Sequence, residues 1–314
     1  MPDDARPTFP FLAPGVPECS PRLLAQARSA GVPRVALVNA GAPHPLSGLR
    51  EAAEAGLAEP ILIGDTDKIR AAADEIGWDI SGLRVEHAPH AQAAFRAAEL
   101  ARGGEADSIM KGQVHTSTFL KGLLPSRMGL RDPGSRCGHV FHITPPGRDR
   151  PLLLTDAALN VDPDVATRKA CLTHAVDLAR RLGVVRPKAG LLAPTEDPIP
   201  SVPNTMEAAE IAAWAKDALP DAVVEGPMAL DLIWSAEAAA IKGYASEVAG
   251  DADILLTPNI TTGNALFKLM VFGMGCCAGG IVLGARVPIL LTSRAQKSGA
   301  RLATAALAAI AARP

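Results

Sequence analysis

The chemistry-bearing residues of this chain fall immediately after short apolar runs. ADSIM leads into Lys111 and Gly112, with His115 and Thr116 close behind. PLLLT leads into Asp156, Asn160, Asp162 and Asp164, and AVVEG into Pro227 and Asp231. ADILLT leads into Pro258, Asn259, Gly263, Asn264 and Lys268, and VPILLT into Ser293 and Arg294. In open α/β sheets the ligand crevice lies beyond the carboxyl ends of the strands. If the runs are strands, these side chains gather on one rim and the rim is the site. Helix capping and turn formation are the competing role for any one of them, but five such clusters in one chain favour a site.

Each cluster suggests a chemistry. A Gly just after a strand, followed by hydroxyls at a helix start, leaves outward N–H groups for an anion. Thr116 as an ordinary N-cap explains the same residues, and the G-x-x-x-x-G-K spacing of a P-loop is absent. The three carboxylates of TDAALNVDPD invite a metal, but the run lacks the Gly and terminal Glu of an EF-hand loop. Turn formation and capping account for them instead. Arg294 offers a fixed fork of donors to phosphate, or a surface ion pair. Ser293 beside it can donate to an oxyanion, and without a G-x-S-x-G elbow it does not read as a hydrolase nucleophile. The Gly-rich run 273–280 precedes a strand, so it is a helix–strand connection rather than a dinucleotide fingerprint. Cys276 and Cys277 within it read as small buried hydrophobes. His139 and His142 lie three apart, on opposite faces of a strand, and cannot share a metal.

The elements that must position these residues alternate regularly. Candidate strands are Arg34–Val38, Pro60–Gly64, Leu83–His87, Asp107–Met110, His139–Ile143, Leu152–Thr155, Ala189–Ala193, Ala222–Glu225, Asp253–Thr257, Gly280–Leu283 and Pro288–Thr292. Several are apolar throughout, as strands buried on both faces are, which predicts a mostly parallel sheet. Ala-rich helical segments lie between them at 46–57, 66–77, 90–103, 164–183, 204–218, 229–241, 262–275 and 297–311. Asp164 reads as an N-cap, Asn204 with Glu207 as a capping box, and Gly183 as a stop. The alternation predicts a doubly wound α/β fold. Eleven strands crowd one open sheet, so two lobes are expected. The Pro-, Gly- and charge-rich stretch at 144–151 is the candidate boundary.

Composition narrows the function classes. The 314 residues hold 31 Lys plus Arg against 33 Asp plus Glu, a balance that argues against a nucleic-acid binder. Aromatics are only 4%, so base-stacking platforms are not expected either. Five cysteines without C-x-x-C spacing argue against a disulfide framework or a structural zinc site. No signal pattern opens the chain and no apolar run is long enough to span a membrane, so a cytoplasmic protein is expected.

Taken together, EAAEAGLAEPILIGD, SIMKGQVHTSTFL, GLRDPGSRCGHVFHI, PLLLTDAALNVDPD, the stretch from Glu225 to Leu269, and GGIVLGARVPILLTSRA resemble the phosphate acetyltransferase/phosphate butyryltransferase family. The resemblance runs from about Leu46 to about Ala308. Its wording is nearest to butyryltransferase-like members and to the transferase half of enoyl-CoA hydratase fusions. The resemblance implies a two-lobed α/β fold like that of isocitrate and isopropylmalate dehydrogenases. The first lobe would comprise residues 1–147 and 288–314, and the second 148–287. It implies exchange of a short acyl group between coenzyme A and phosphate in a homodimer. Coenzyme A is a substrate there, and no metal or resident cofactor takes part. Ser293, Arg294 and Asn264 then fall at the catalytic centre. Lys111, His115, Thr116, Arg131, Arg136, Asp156, Asn160, Asn259 and Lys268 become candidate contacts for phosphate, acyl phosphate or CoA.

One departure stands out. The family commonly carries an acid soon after the Ser–Arg pair, but residues 293–314 contain no Asp or Glu. The general base is then Asp156, Asp231, His115 or substrate phosphate itself. A metal-dependent hydroxyacid dehydrogenase on the same fold is a further alternative, as is an acyl-CoA or acyl-phosphate binding protein without turnover. Against the dehydrogenase, Asp251 and Asp253 lie at the start of a strand, the wrong end for a metal cluster.

Overall fold

Every candidate strand named above overlaps a strand of the structure. A computed structural model describes residues 10–125, 128–291 and 297–312 of the chain. The first half holds α1 (Pro21–Ala30), β1 (Arg34–Val38), α2 (Pro43–Glu54), β2 (Glu59–Gly64), α3 (Thr66–Glu75), β3 (Arg84–His87), α4 (Ala93–Arg102), β4 (Ser108–Lys111) and α5 (Thr116–Leu123). Next come β5 (Gly138–Thr144), β6 (Leu152–Thr155), α6 (Val165–Arg181), β7 (Lys188–Leu192), α7 (Pro203–Ala218) and β8 (Val223–Met228). The chain ends with α8 (Leu230–Trp234), α9 (Ala236–Ile241), β9 (Ile254–Leu256), α10 (Ile260–Lys268), β10 (Cys277–Leu283), β11 (Ile289–Leu290) and α11 (Ser298–Ala311).

The strands do not divide between two sheets. They form one eleven-stranded sheet in the order β3-β2-β1-β4-β11-β10-β5-β6-β9-β7-β8. Two parallel blocks, β3 to β11 and β6 to β8, are spliced by β10 and β5. Each splice strand is antiparallel to both of its neighbours. The splice explains how so many strands fit in one sheet: β10 pairs with β5 along its whole length, from Cys277↔Thr144 to Leu283↔Gly138. Both faces are covered, as the apolar strands require. On β1, Val35 and Leu37 face a core that includes residues of α1, α2 and α11, while Ala36 and Val38 face one built with α4 and α5. The first of these cores continues beneath α6 and α7, and a third lies under α8 and the α10 region.

Local signals held at some boundaries and failed at others. Asp164 caps α6 by accepting from the Thr167 amide at 2.7 Å, and Gly183 follows the end of α6 at φ +89°. The capping box at Asn204 is not formed. Here α7 starts at Pro203 with Val202 as its N-cap, and Glu207 pairs instead with the buried Arg168 at 2.9 Å. The single helix expected over 229–241 is two, broken at Ser235, whose hydroxyl accepts from the Ala238 amide at 3.1 Å. The one expected over 262–275 starts earlier, at Ile260, and gives way after Lys268 to a π-helical turn, Leu269–Gly273. The structure adds α1, capped by Ser20 ahead of Pro21, and α5.

Candidate active site

Strand polarity sorts the candidate residues into two groups. β4 and β11 run one way, β6 and β9 the other, because two antiparallel steps and a third from β5 to β6 lie between them. Lys111 therefore closes β4 on one edge of the sheet, while Asp156, Asn160, Asn259 and Asn264 follow β6 and β9 on the other. The single rim expected from the strand-end pattern is corrected to two. Sequence alone could not reveal this, because it rests on which strands are antiparallel.

The second group is built around Asp156, which is 3% exposed. Its carboxylate accepts five hydrogen bonds. Oδ1 takes the amides of Ala158 and Leu159, both at 2.9 Å. Oδ2 takes the Asn160 side chain at 2.7 Å, the His139 amide at 3.2 Å and the Asn160 amide at 3.3 Å. The buried charge is thus met by donors on every side, as burial of a carboxylate demands. Asn160 also donates to the Cys137 carbonyl at 2.9 Å, tying the loop after β6 to the start of β5. The Thr155–Asp156 peptide is cis. Burial pushes the His139 imidazole down to about 4 against the opposing pull of Asp156, so the ring beside this carboxylate is neutral.

Helix α10 docks onto the same loop. Asn259 is its N-cap, accepting the Thr262 amide at 3.0 Å. Asn264 donates to the Ala157 carbonyl at 3.3 Å, and Thr257 Oγ1 to the Asp156 carbonyl at 3.0 Å. Gly263 permits this approach: a Cβ there would lie 2.8 Å from Ala157 Cβ, the Asp156 carbonyl oxygen and Thr257 Oγ1. Thr257 and the His139 amide are parts of this group that sequence reasoning missed, whereas Gly263 was named for its place after β9 but not for this close approach. A Gly in the first turn of a predicted helix was the one available signal. Lys268 is exposed as the last residue of α10.

The first group follows β4. The Lys111 ammonium donates to the Val114 carbonyl at 3.2 Å. Gly112 turns the chain against β1, where a Cβ would overlap the Val38 carbonyl oxygen. His115, not Thr116, is the N-cap of α5, and it makes no side-chain cap bond. His115, Thr116, Ser117 and Thr118 are all exposed. The first turn of α5 thus presents uncapped amides among hydroxyls, an arrangement suited to an anion.

Arg131 and Arg136 precede β5, on the Asp156 edge. Arg136 lies 3.5 Å from Asp164 and 3.4 Å from Thr167 Oγ1, so it braces the start of α6. Arg131 Nε is buried with no hydrogen-bond partner among the described residues. Its charge opposes the burial that pushes the Cys137 thiol up. Ser293 and Arg294 lie outside the described residues. Among those described, no three His, Cys, Asp or Glu side chains gather to hold a metal. Asp164 caps a helix and Asp156 organises a turn. No helix of the described residues is long and apolar enough to cross a membrane. Three cavities of about 280, 520 and 530 Å³ open elsewhere, and none of the described candidate residues lines them.

A large, mostly parallel α/β sheet with polar side chains and uncapped amides at its strand ends is an architecture that binds small ligands beyond those ends. The family model for "Phosphate acetyl/butaryl transferase" matches residues 85–309. The chain is 40% identical to the phosphate acetyltransferase of Rhizobium meliloti, over 95% of this chain and 94% of that one. It is 36% identical to the phosphate butyryltransferase of Clostridium acetobutylicum, over 92% and 96%. A crystal structure of a branched-chain phosphotransacylase from Enterococcus faecalis V583 superposes with a TM-score of 0.78 at 30% identity, covering 89% of this chain and 99% of that one. The chain belongs to the phosphate acetyl/butyryl transferase family, and it is a transferase.

Proposed function

We propose that the protein catalyses acyl-CoA + phosphate = acyl phosphate + CoA, with a short aliphatic acyl group: acetyl, propionyl or butyryl. The observation that carries this reading is the family match, extended by relatives that align along nearly the whole of both chains. A phosphate oxygen attacks the thioester carbonyl, the tetrahedral oxyanion collapses, and the C–S bond breaks to release CoA thiolate. In reverse the thiolate is the nucleophile, so a base must take the thiol proton.

The roles are distributed as follows. Arg294 neutralises phosphate, and Ser293 donates to phosphate or to the oxyanion. His115, Thr116 and the uncapped amides of α5 cradle acyl phosphate, with Lys111 holding that loop from behind. Arg131, lacking a partner among the described residues, is available to a phosphate of CoA. Asn264, Asn259, Asn160 and Lys268, on the other edge of the sheet, are assigned to the remote part of the long CoA molecule rather than to the reacting carbonyl. Asp156 is a poor base because its oxygens are committed to five donors. Asp231 is no better, since it pairs with Lys242 at 3.0 Å, a contact that holds its carboxyl below the usual range. That leaves exposed His115, or substrate phosphate, to take the proton.

The lobes we propose are residues 1–147 with 288–314, and residues 148–287. CoA is a substrate, not a resident cofactor. A second copy of the chain would cover the exposed Leu269, Phe272 and Met274 of the π-helical turn and its flank, beside exposed Phe11 and Leu12. Free thiols at all five cysteines fit a reducing cytoplasm.

The test is phosphate-dependent release of free thiol from acetyl-, propionyl- and butyryl-CoA with EDTA present. Turnover that requires phosphate is expected, and its rates rank the acyl groups. Arg294→Ala is expected to lose at least about 100-fold in kcat/KM, because phosphate charge goes unpaired. Tight acyl-CoA binding without turnover in folded protein would replace the transferase reading with a binding protein.

A further inference from the structure

The cavity of about 280 Å³ is walled by α1, the end of α6 and the bend that leads into β6. It lies at the opposite end of β5, β6 and β9 from Asp156. It also opens on the sheet face that bears α1 and α6, not on the face that bears α5. Both candidate groups described above are therefore remote from it. Its volume sits at the small end of ligand pockets, suited to a metabolite rather than to a nucleotide-bearing molecule such as CoA.

Its chemistry is unusually well defined. Leu23, Leu153, Leu182 and Val184 make an apolar wall. His142, 4% exposed, lines it from β5. The His142 Nδ1 lies 3.5 Å from Thr144 Oγ1, and Nε2 has no hydrogen-bond partner among the described residues. A ring nitrogen opening on a cavity is free to hydrogen-bond a ligand held there. At the rim, Arg150 is spent on Asp253 at 3.2 Å and on Asp251, so that network is closed. Two charges are not spent. Arg22 is exposed and makes no ion pair among the described residues, and Asp149 has only the Ser20 hydroxyl at 3.5 Å.

We propose that this cavity binds a small aliphatic zwitterion, of the α-amino acid class. Arg22 takes the carboxylate, Asp149 the ammonium, His142 Nε2 a further polar contact, and the leucine wall the hydrocarbon side chain. Burial holds the His142 ring neutral, pushed down to about 4. A ligand with one charge of each sign complements the exposed Arg22 and Asp149 at the rim. A plain carboxylate would leave Asp149 facing it, and a plain amine would leave Arg22. The inference is independent of the acyl-transfer reading, because it uses none of the residues placed in that reaction.

Isothermal titration calorimetry on the full chain tests it with three probes of one shape: L-leucine, 4-methylpentanoate and 3-methylbutylamine. Leucine is expected to bind one per chain, and each single-charge analogue at least about tenfold more weakly. Arg22→Gln and Asp149→Asn lie on the exposed rim, so they should melt with the wild type while losing leucine affinity by a similar factor. Absence of leucine binding to the wild type overturns the site. Undiminished binding to both variants does the same, and equal binding of 4-methylpentanoate overturns the zwitterion.

Discussion

At the scale of single residues, the Asp156 carboxylate accepts five hydrogen bonds, and that commitment argues against its serving as a base. A general base needs a lone pair free for the incoming proton, whereas this carboxylate is the hub that folds residues 156–160 into a turn and fastens them to the start of β5. Replacing it by Ala strands several buried N–H groups together. Asp156→Ala is expected to cost roughly 3–5 kcal/mol, with Asp156→Asn losing less because one acceptor oxygen remains. Urea unfolding measures this directly, and an Ala variant with the wild-type midpoint would show that the donors find other partners. The same reasoning elevates His115. It is exposed and makes no cap bond, so it can move a proton without dismantling anything. His115→Gln should lower turnover by about 10²-fold if it is the base. An unchanged rate would assign that proton to substrate phosphate.

At the scale of elements, the Asp156 group depends on how closely α10 approaches the loop after β6. Gly263 faces Ala157 Cβ, the Asp156 carbonyl and Thr257 Oγ1 within the first turn of that helix. Adding one methyl at 2.8 Å must push the helix outward, carrying Asn259 and Asn264 with it. Gly263→Ala is expected to destabilise by roughly 1–3 kcal/mol, as overpacking does, and to lower kcat/KM as well. A loss of melting temperature with kcat/KM intact would separate α10 from the reaction. Helix α5 shows the converse, an element that local propensity underrates. Its sequence TSTFLKGL is poor in strong helix formers, yet Phe119 and Leu123 are fully buried in the core it shares with α4. Gly122 lets the two helices touch, since a Cβ there would lie 2.6 Å from Ala94 Cβ. Packing decides the helix, and the helix then presents its uncapped first turn.

At the scale of the whole molecule, the two parallel blocks are joined through β5 and β10, and β5 carries two buried histidines. His139 and His142 are both pushed from 6.5 down to about 4, in each case chiefly by burial. With folded values below unfolded ones, the unfolded chain binds more protons between those limits. Stability is then complete above about pH 6.5 and falls as pH drops toward 4, by on the order of 1 kcal/mol per pH unit for each ring. Urea midpoints taken from pH 7.5 to 4.5 should fall accordingly, and His142→Gln should flatten the slope. A flat wild-type profile would mean that the rings escape burial on protonation. Because β5 sits at the splice, loss of this strand would separate the two blocks together with the Asp156 group at its start.

The sequence by itself determined a good deal. Apolar runs located most of the described strands, since burial on both faces leaves a clear pattern, while β3 (RVEH) is only partly buried and lacks it. Asp164 and Gly183 bounded α6 because capping is local physics. The motifs from Leu46 to Ala308 were sufficient to place the chain in its family. Only the tertiary structure decided the rest. Strand direction is not written in a strand's own residues. So neither the single spliced sheet nor the division of candidate residues between two edges could be foreseen. Nor could the partners that change a residue's role: Glu207 left a capping box for a buried Arg168 contributed by α6. Asp156 changed from a candidate base to a turn organiser on meeting an amide from β5 and the neighbouring amides of its own loop. Such roles depend on long-range contacts, and they become fixed when the elements pack.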